Sequence, residues 1–246
     1  MNFEKFIPAL LLTLLKIAIV YYFYIWLMRI AVLLLRYNSA IHYCISFFIV
    51  FSFTVLVIVW YVKKEGYRNM FTLNVTHWKI SLWLLLLCIS LRMFFMALFG
   101  SAVWIPQDKI TVEFTLYSLW PILCAPFVEE IAFRGLLQKQ LSKNLTPWLS
   151  IFITSIAFAS VHYQVISKML PAFLLGILLG VIYYRTNKLI LCVIFHFLYN
   201  LSGTITQYSL KFDLLLQLVY LVLAIGLAIY SIPKLLRDTT LNKETT

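Results

Sequence analysis

The chain is organised around residues 127–134, which read Phe-Val-Glu-Glu-Ile-Ala-Phe-Arg. Two adjacent carboxylates and a guanidinium lie here inside a long apolar run, and the sequence has no other acidic residue between positions 114 and 212. An ionisable side chain at membrane depth costs roughly 2.5–3.5 kcal/mol on insertion scales, and such residues are functional by default. The stretch therefore marks a candidate site, and the alternative is a buried ion pair that only fixes helix packing.

Helical spacing separates the roles of the charged residues in this stretch. Glu130 and Arg134 are four residues apart, so on a helix they face each other and can pair. Glu129 is rotated by about 100° from Glu130 and lacks Arg134 as its obvious partner. We expect Glu130 and Arg134 to support the site structurally, and Glu129 to be the reactive carboxylate.

The composition places the chain in a membrane. Of its 246 residues, 63% are hydrophobic and only 12% are charged, and the mean hydropathy is +0.94. Repeated apolar runs of about twenty residues are typical of membrane spans. The sequence thus predicts an all-α fold, a polytopic integral membrane bundle of about eight transmembrane helices, without room for a second soluble domain. The net charge of +11 comes from basic residues that flank the spans, which favours the lipid bilayer rather than nucleic acid as partner.

The hydropathy pattern predicts eight spans, at about 7–35, 40–62, 78–99, 115–141, 148–163, 168–185, 188–205 and 212–231. We divide the chain into N-terminal helices (1–114, about three spans), a catalytic core (115–205, about four spans) and a last helix with a basic tail (206–246). Gly176 and Gly180 have a small-xxx-small spacing, which predicts close helix packing.

The distribution of basic residues predicts that both termini are cytoplasmic. With that orientation the inner segments hold eleven basic residues and the outer segments hold four, as the positive-inside rule requires. The inner ones are Lys5, Lys63, Lys64, Arg68, Lys139, Lys143, Arg185, Lys188, Lys234, Arg237 and Lys243, and the outer ones are Arg36, Lys109, Lys168 and Lys211.

Two histidines inside the apolar C-terminal half are further candidates for chemistry. His162 ends one predicted span, and His196 shares a helix face with Asn200 because four residues separate them. At about 1.5 Å of rise per residue, Glu129 and His196 come to similar depths, whereas His162 comes out on the opposite side. A lone membrane histidine is more often a packing residue, but two of them with Asn200 and a glutamate pair favour a site.

These side chains suit hydrolysis of a peptide bond without a covalent intermediate. Glu129 and His162 can hold a water and remove its proton as it attacks a carbonyl, and His196 and Asn200 can donate hydrogen bonds to the oxyanion that forms. We expect no cofactor. Zinc is the alternative, with Glu129, His162 and His196 as ligands, but the sequence lacks an HExxH motif and the three residues come from three separate spans.

Three motifs follow one another on successive hydrophobic helices: Glu129-Glu130-x-x-x-Arg134, Phe158-x-x-x-His162 and His196-x-x-x-Asn200. In this order they resemble the CAAX protease and bacteriocin-processing family (CPBP, also called Abi), whose eukaryotic members are the type II CAAX prenyl endopeptidases. The resemblance covers about residues 115–205. It implies an intramembrane glutamate-type endopeptidase, formerly argued to be a metalloprotease, and it maps the catalytic glutamate to Glu129, its partner to His162 and the oxyanion donors to His196 and Asn200.

The same resemblance bears on the substrate. Bacterial members of the family often stand near peptide bacteriocin systems and are associated with precursor processing or self-immunity. We therefore expect a membrane-associated peptide or protein precursor, bacteriocin-like, pheromone-like or CAAX-like, and favour a short peptide over a prenylated substrate. The alternative is a non-catalytic membrane protein that confers immunity or regulates a partner. An unpaired Glu129 favours the enzyme, since a binding protein would not need it.

Overall fold

The computed structural model describes residues 3–35, 40–65, 75–99, 122–162, 166–209 and 214–244. Within these ranges the chain is almost entirely helical and contains no strand, so the predicted all-α bundle is confirmed. Eight helices follow in order: α1 (Phe3–Leu35), α2 (Ala40–Glu65), α3 (Val75–Phe99), α4 (Ala125–Glu130, continued by a π-helix over Ile131–Gln138 and an α-turn over Lys139–Leu141), α5 (Pro147–Ser160), α6 (Ile166–Thr186), α7 (Leu189–Ser209) and α8 (Leu214–Glu244). The start of the fourth predicted span, 115–121, lies outside the described residues.

Several of these helices can cross a bilayer. Four are long and apolar enough by themselves, over Lys5–Leu34, Cys44–Lys63, Met169–Thr186 and Leu214–Asp238, and shorter apolar helices occupy Leu82–Ala97, Pro147–Ser160 and Leu189–Gly203. Many large apolar side chains on α1, α2 and α8 point away from the bundle, as expected where lipid replaces water as the solvent. The chain is a multi-pass membrane protein.

Helix α8 runs beyond the predicted end of its span at residue 231. Past residue 231 the helix still packs against α3, where the Trp83 indole N–H donates to Asp238 Oδ2 at 2.8 Å. The ammonium of Lys234 lies 3.8 Å from the ring centroid of Tyr230 and 4.9 Å from that of Trp83. Hydropathy ends a span where polar residues begin, but these tertiary contacts continue the helix past that point.

Helices α5 and α6 approach each other through the two glycines of the small-xxx-small spacing. A Cβ at Gly176 would lie 3.0 Å from Ser155 Cβ, and one at Gly180 would lie 2.9 Å from Ile151 Cγ2. Both distances are shorter than ordinary van der Waals contacts, so a side chain at either position would push the helices apart. The predicted packing role of these glycines is confirmed.

The π-helix of α4 lies at the centre of the bundle, and all eight of its residues are buried. Gly135 faces the Tyr61 ring of α2 so closely that a Cβ would meet the ring carbon Cζ at 2.7 Å. Gln138 donates from Nε2 to the Gly180 carbonyl of α6 at 2.9 Å. Short π-helical segments are rare and frequently occur at functional sites, and this one begins directly after Glu129 and Glu130.

Candidate active site

Four ionisable side chains from two helices meet in the core of the bundle. Glu129 and Glu130 end the α-helical part of α4, Arg134 follows in the π-helix, and His196 comes from the middle of α7. Their exposed fractions are 7%, 0%, 0% and 3%. Charged groups buried to this extent must be paired or hydrogen-bonded, so the contacts between them define the site.

Arg134 is held by groups from three helices. Its Nη1 lies 3.0 Å from Glu130 Oε1, and its Nη2 donates to the Gly176 carbonyl of α6 at 3.1 Å. Its guanidinium carbon lies 4.6 Å from the ring centroid of Phe158 on α5. The pairing of Glu130 and Arg134 that the four-residue spacing predicts is therefore present, and the same guanidinium links α4 to α5 and α6.

His196 lies between the two glutamates. Its Nδ1 is 2.7 Å from Glu130 Oε1, and its Nε2 is 3.7 Å from Glu129 Oε2. The similar depths estimated for Glu129 and His196 agree with this contact. A separation of 3.7 Å exceeds a direct hydrogen bond and is one that a water can bridge. Glu130 thus has a second partner besides Arg134.

These contacts define which ring nitrogens of His196 can donate. Beside an ionised Glu130, Nδ1 is the donor in the 2.7 Å contact. A neutral imidazole would then carry no proton on Nε2, whereas a protonated imidazole donates from both nitrogens. In the protonated form, two positive groups, Arg134 and His196, balance the charges of Glu129 and Glu130. Nε2 then points an N–H at the space beside Glu129.

His162 lies just beyond the end of α5, and its ring packs on that of Phe158. Its Nδ1 lies 2.9 Å from the Phe158 carbonyl oxygen one turn earlier. The ring centroid of Phe158 is 5.0 Å from that of His162 and 5.6 Å from that of His196. In the described part of the chain, the imidazole within 4.0 Å of the Glu129 carboxylate is that of His196, not that of His162.

Asn200 follows His196 by one turn of α7 and shares its helix face. Its side chain is half-buried. The structure thus groups Glu129, Glu130, Arg134 and His196 directly, with His162 attached through Phe158 and Asn200 adjacent along α7.

Sequence reasoning missed three contributors to this site. Phe158 contacts both histidines and Arg134, although its place in the Phe-x-x-x-His motif indicated no role for it. Gln138 donates to the Gly180 carbonyl as Arg134 donates to the Gly176 carbonyl. Both the donors and the glycines are four residues apart, and this shared spacing could have indicated the second hydrogen bond. Tyr21 of α1 packs edge to face on the Phe133 ring of α4, with 6.2 Å between the ring centroids, and no signal in the sequence connects these two residues.

The alternative zinc site can be tested on the same geometry. Zinc ligand atoms lie about 2.0–2.2 Å from the metal when they are nitrogen or oxygen, so three ligands must converge within about 4 Å of one another. Among the described residues, no three His, Cys, Asp or Glu side chains form such a group. His162 stands apart from the Glu129 carboxylate, so Glu129, His162 and His196 as arranged do not fit a zinc ion.

Residues 111–202 match the family model of Type II CAAX prenyl endopeptidase Rce1-like. A curated relative, an uncharacterized 24.3 kDa protein of Escherichia coli, is 32% identical over 93 residues, which are 36% of this chain and 43% of the relative. The chain thus spans less than half the length of that relative. No solved structure matches the chain.

Proposed function

We propose that this protein, whose residues 111–202 match the Type II CAAX prenyl endopeptidase Rce1-like family model, is an intramembrane endopeptidase. Its reaction is hydrolysis of a peptide bond in a membrane-associated peptide or protein precursor. The observation that carries the proposal is the contact of His196 with both Glu129 and Glu130 inside the bundle. A buried carboxylate beside an imidazole supplies a proton acceptor and a hydrogen-bond donor at one point.

In the proposed reaction, Glu129 is the general base and His162 assists it. Glu129 removes a proton from a water as the water oxygen attacks the carbonyl carbon of the scissile bond. The carbonyl electron pair moves onto its oxygen, and His196 Nε2–H and the Asn200 amide donate hydrogen bonds to that oxyanion. The oxyanion then re-forms the carbonyl as the C–N bond breaks. The proton passes from Glu129 to the leaving nitrogen, which gives a new carboxylate and a new amine.

Glu130 and Arg134 support these residues without taking part in proton transfer. The 2.7 Å contact of Glu130 Oε1 with His196 Nδ1 fixes the ring orientation, and the Arg134 guanidinium holds the same oxygen at 3.0 Å. Because Arg134 also binds α6 through Gly176, the orientation of His196 depends on how three helices pack.

The proposal is tested with purified protein and a library of apolar peptides carrying polar ends, presented in detergent micelles. Mass spectrometry of the products identifies each new peptide end. We expect cleavage at defined bonds by the wild-type protein. The proposal would be contradicted if the wild-type protein cleaved none of the peptides, either in detergent or in membranes that contain the protein.

Activity is expected to be independent of metal. The three alternative zinc ligands do not converge among the described residues, and Glu129 with a histidine can activate water by themselves. The measurement is the cleavage rate before and after dialysis against a strong chelator. A rate that falls on chelation and returns with zinc would overturn this expectation.

We propose that both termini are cytoplasmic and that eight crossings separate them. The motive is the bias of eleven to four basic residues between the two sides. Reporter fusions after Lys64 and after Lys243 should both report the cytoplasm, and a fusion at Lys211 should report the other side. Fusions at Lys64 and Lys243 that report opposite sides would contradict this topology.

The family resemblance also supports a proposal for the substrate. We favour a short peptide precursor. We also propose that the chain divides into N-terminal helices (1–114), a catalytic core (115–205) and a C-terminal helix with a basic tail (206–246). The family resemblance also predicts a role in bacteriocin processing or in bacteriocin immunity. The Glu129→Gln variant separates these two roles, because it removes catalysis and leaves binding.

A further inference from the structure

A long cleft lies on the outside of the bundle, and the residues that line it do not include the buried charged residues Glu129, Glu130, Arg134 and His196. Its volume is about 790 Å³. It lies between α1, from Leu14 to Arg29, and the π-helical part of α4 with the end of α5, where Phe133, Leu137, Ala157, Ser160 and Val161 line it. The fifteen helical steps from Leu14 to Arg29 correspond to about 22 Å, so the cleft is elongated along the direction in which α1 crosses the membrane.

The cleft opens toward lipid and has a cation at one end. Tyr22 and Trp26 on its rim are 72% and 54% exposed. Arg29 is the cationic side chain among the lining residues. The apolar span of α1 is Lys5–Leu34, so Arg29 lies about 14 Å from its centre, at the boundary of a hydrocarbon core about 30 Å thick. Lipid phosphates lie just beyond that boundary.

The chemistry of the lining selects the kind of occupant. An extended peptide would leave backbone N–H and C=O groups without partners against the apolar walls, which is costly at membrane depth. A hydrocarbon chain has no such groups and fills an elongated apolar cleft. The guanidinium of Arg29 adds a donor fork that matches a phosphate.

We propose that this cleft binds one anionic phospholipid, with its phosphate on Arg29 and one acyl chain along α1. A chain that crosses half of the hydrocarbon core covers about 15 Å, so its end reaches the level of Ala18 and Tyr22. There it contacts Tyr21 and Phe133, whose rings pack edge to face at 6.2 Å. The bound chain thus ends against the Phe133 ring of α4, four residues after Glu129 in the sequence. The proposal does not depend on peptide hydrolysis.

The test uses phosphatidylglycerol that carries a photoreactive diazirine near the end of one acyl chain, in nanodiscs with the full-length protein. Peptide mapping after irradiation should locate cross-links in residues 17–22 of α1 and 157–161 of α5. Arg29→Gln should lower the labelling by about five-fold, in line with one basic residue near an anionic surface. Arg237→Gln is the matched control, because the Arg237 side chain is 69% exposed and lies on α8.

Ala18→Trp tests the cleft itself, because an indole at this position fills the space of the acyl chain. It should suppress the cross-links while the melting temperature stays near that of the wild type. Equal labelling by phosphatidylcholine, or labelling unchanged in both Arg29→Gln and Ala18→Trp, would overturn the proposal. Labelling by a lipidated peptide that phosphatidylglycerol fails to displace would also overturn it, since the cleft would then hold substrate.

Discussion

Glu129→Gln is expected to abolish peptide cleavage while the protein stays folded. The substitution keeps the shape of the side chain but removes the proton acceptor. A positioned general base contributes a factor of about 10²–10⁴ to the rate, so the cleavage rate should fall by at least such a factor. Glu130 and Arg134 remain paired in the variant, and the melting temperature should therefore stay close to that of wild type. The measurement is the cleavage rate of one identified peptide, with thermal unfolding recorded in parallel.

A matched control exists for the same chemical change elsewhere in the bundle. Asp238 is a buried carboxylate that accepts from Trp83, far along the chain on α8. Asp238→Asn should keep its catalytic rate, so a loss confined to Glu129→Gln reports the site. A folded Glu129→Gln protein that cleaves at nearly the wild-type rate would end the glutamate-base hypothesis. If that variant protected cells from a bacteriocin without cleaving peptides, the immunity function would replace the protease.

The neighbouring residues should show graded losses on the same assay. Removing one oxyanion donor costs about 10²–10³ in rate, so Asn200→Ala should leave measurable turnover. His162→Ala should resemble Glu129→Gln if a water joins these two side chains. Because the residues act in one mechanism, their combined losses should not multiply.

Arg134→Ala is expected to destabilise the protein strongly. Removing one partner of a buried ion pair costs roughly 3–5 kcal/mol, since the remaining charge is left without compensation. Here the change would leave Glu130 facing only His196, and it would release the Gly176 carbonyl and the Phe158 ring as well. The expected result is a lower melting temperature in detergent or a lower folded yield.

The control for this prediction is Arg237→Ala, which removes a largely exposed guanidinium on α8. Exposed ion pairs contribute about 0–1 kcal/mol, so its melting temperature should barely change. An Arg134→Ala protein that is inactive but as stable as wild type would show that Arg134 acts in the chemistry instead of the packing.

Local patterns predicted much of this arrangement. The four-residue spacing predicted the Glu130–Arg134 pair, because neighbours on one helix face need no knowledge of the fold. Apolar runs predicted the helices, and Gly176 with Gly180 predicted a close approach. Helix rise alone placed Glu129 and His196 at similar depths, which the 3.7 Å contact agrees with.

Contacts between distant segments could not be predicted in this way. The hydrogen bond from His196 to Glu130 joins positions 66 residues apart, and it depends on how α7 is rotated toward α4. The π-helix adds to this, because its wider turn changes the direction of every side chain after Ile131. Tyr21 lies against Phe133 only because α1 packs against α4, which hydrophobic periodicity does not specify.

In the proposed reaction, water attacks the peptide bond directly and Glu129 removes its proton. The most direct measurement is one turnover of wild-type protein in ¹⁸O-labelled water, quenched with acid and followed by intact-mass spectrometry of both protein and products. We expect one ¹⁸O atom in the new carboxylate, an unmodified protein mass throughout, and no product from Glu129→Gln. A transient protein mass increased by one half of the peptide would reveal a covalent intermediate and contradict it.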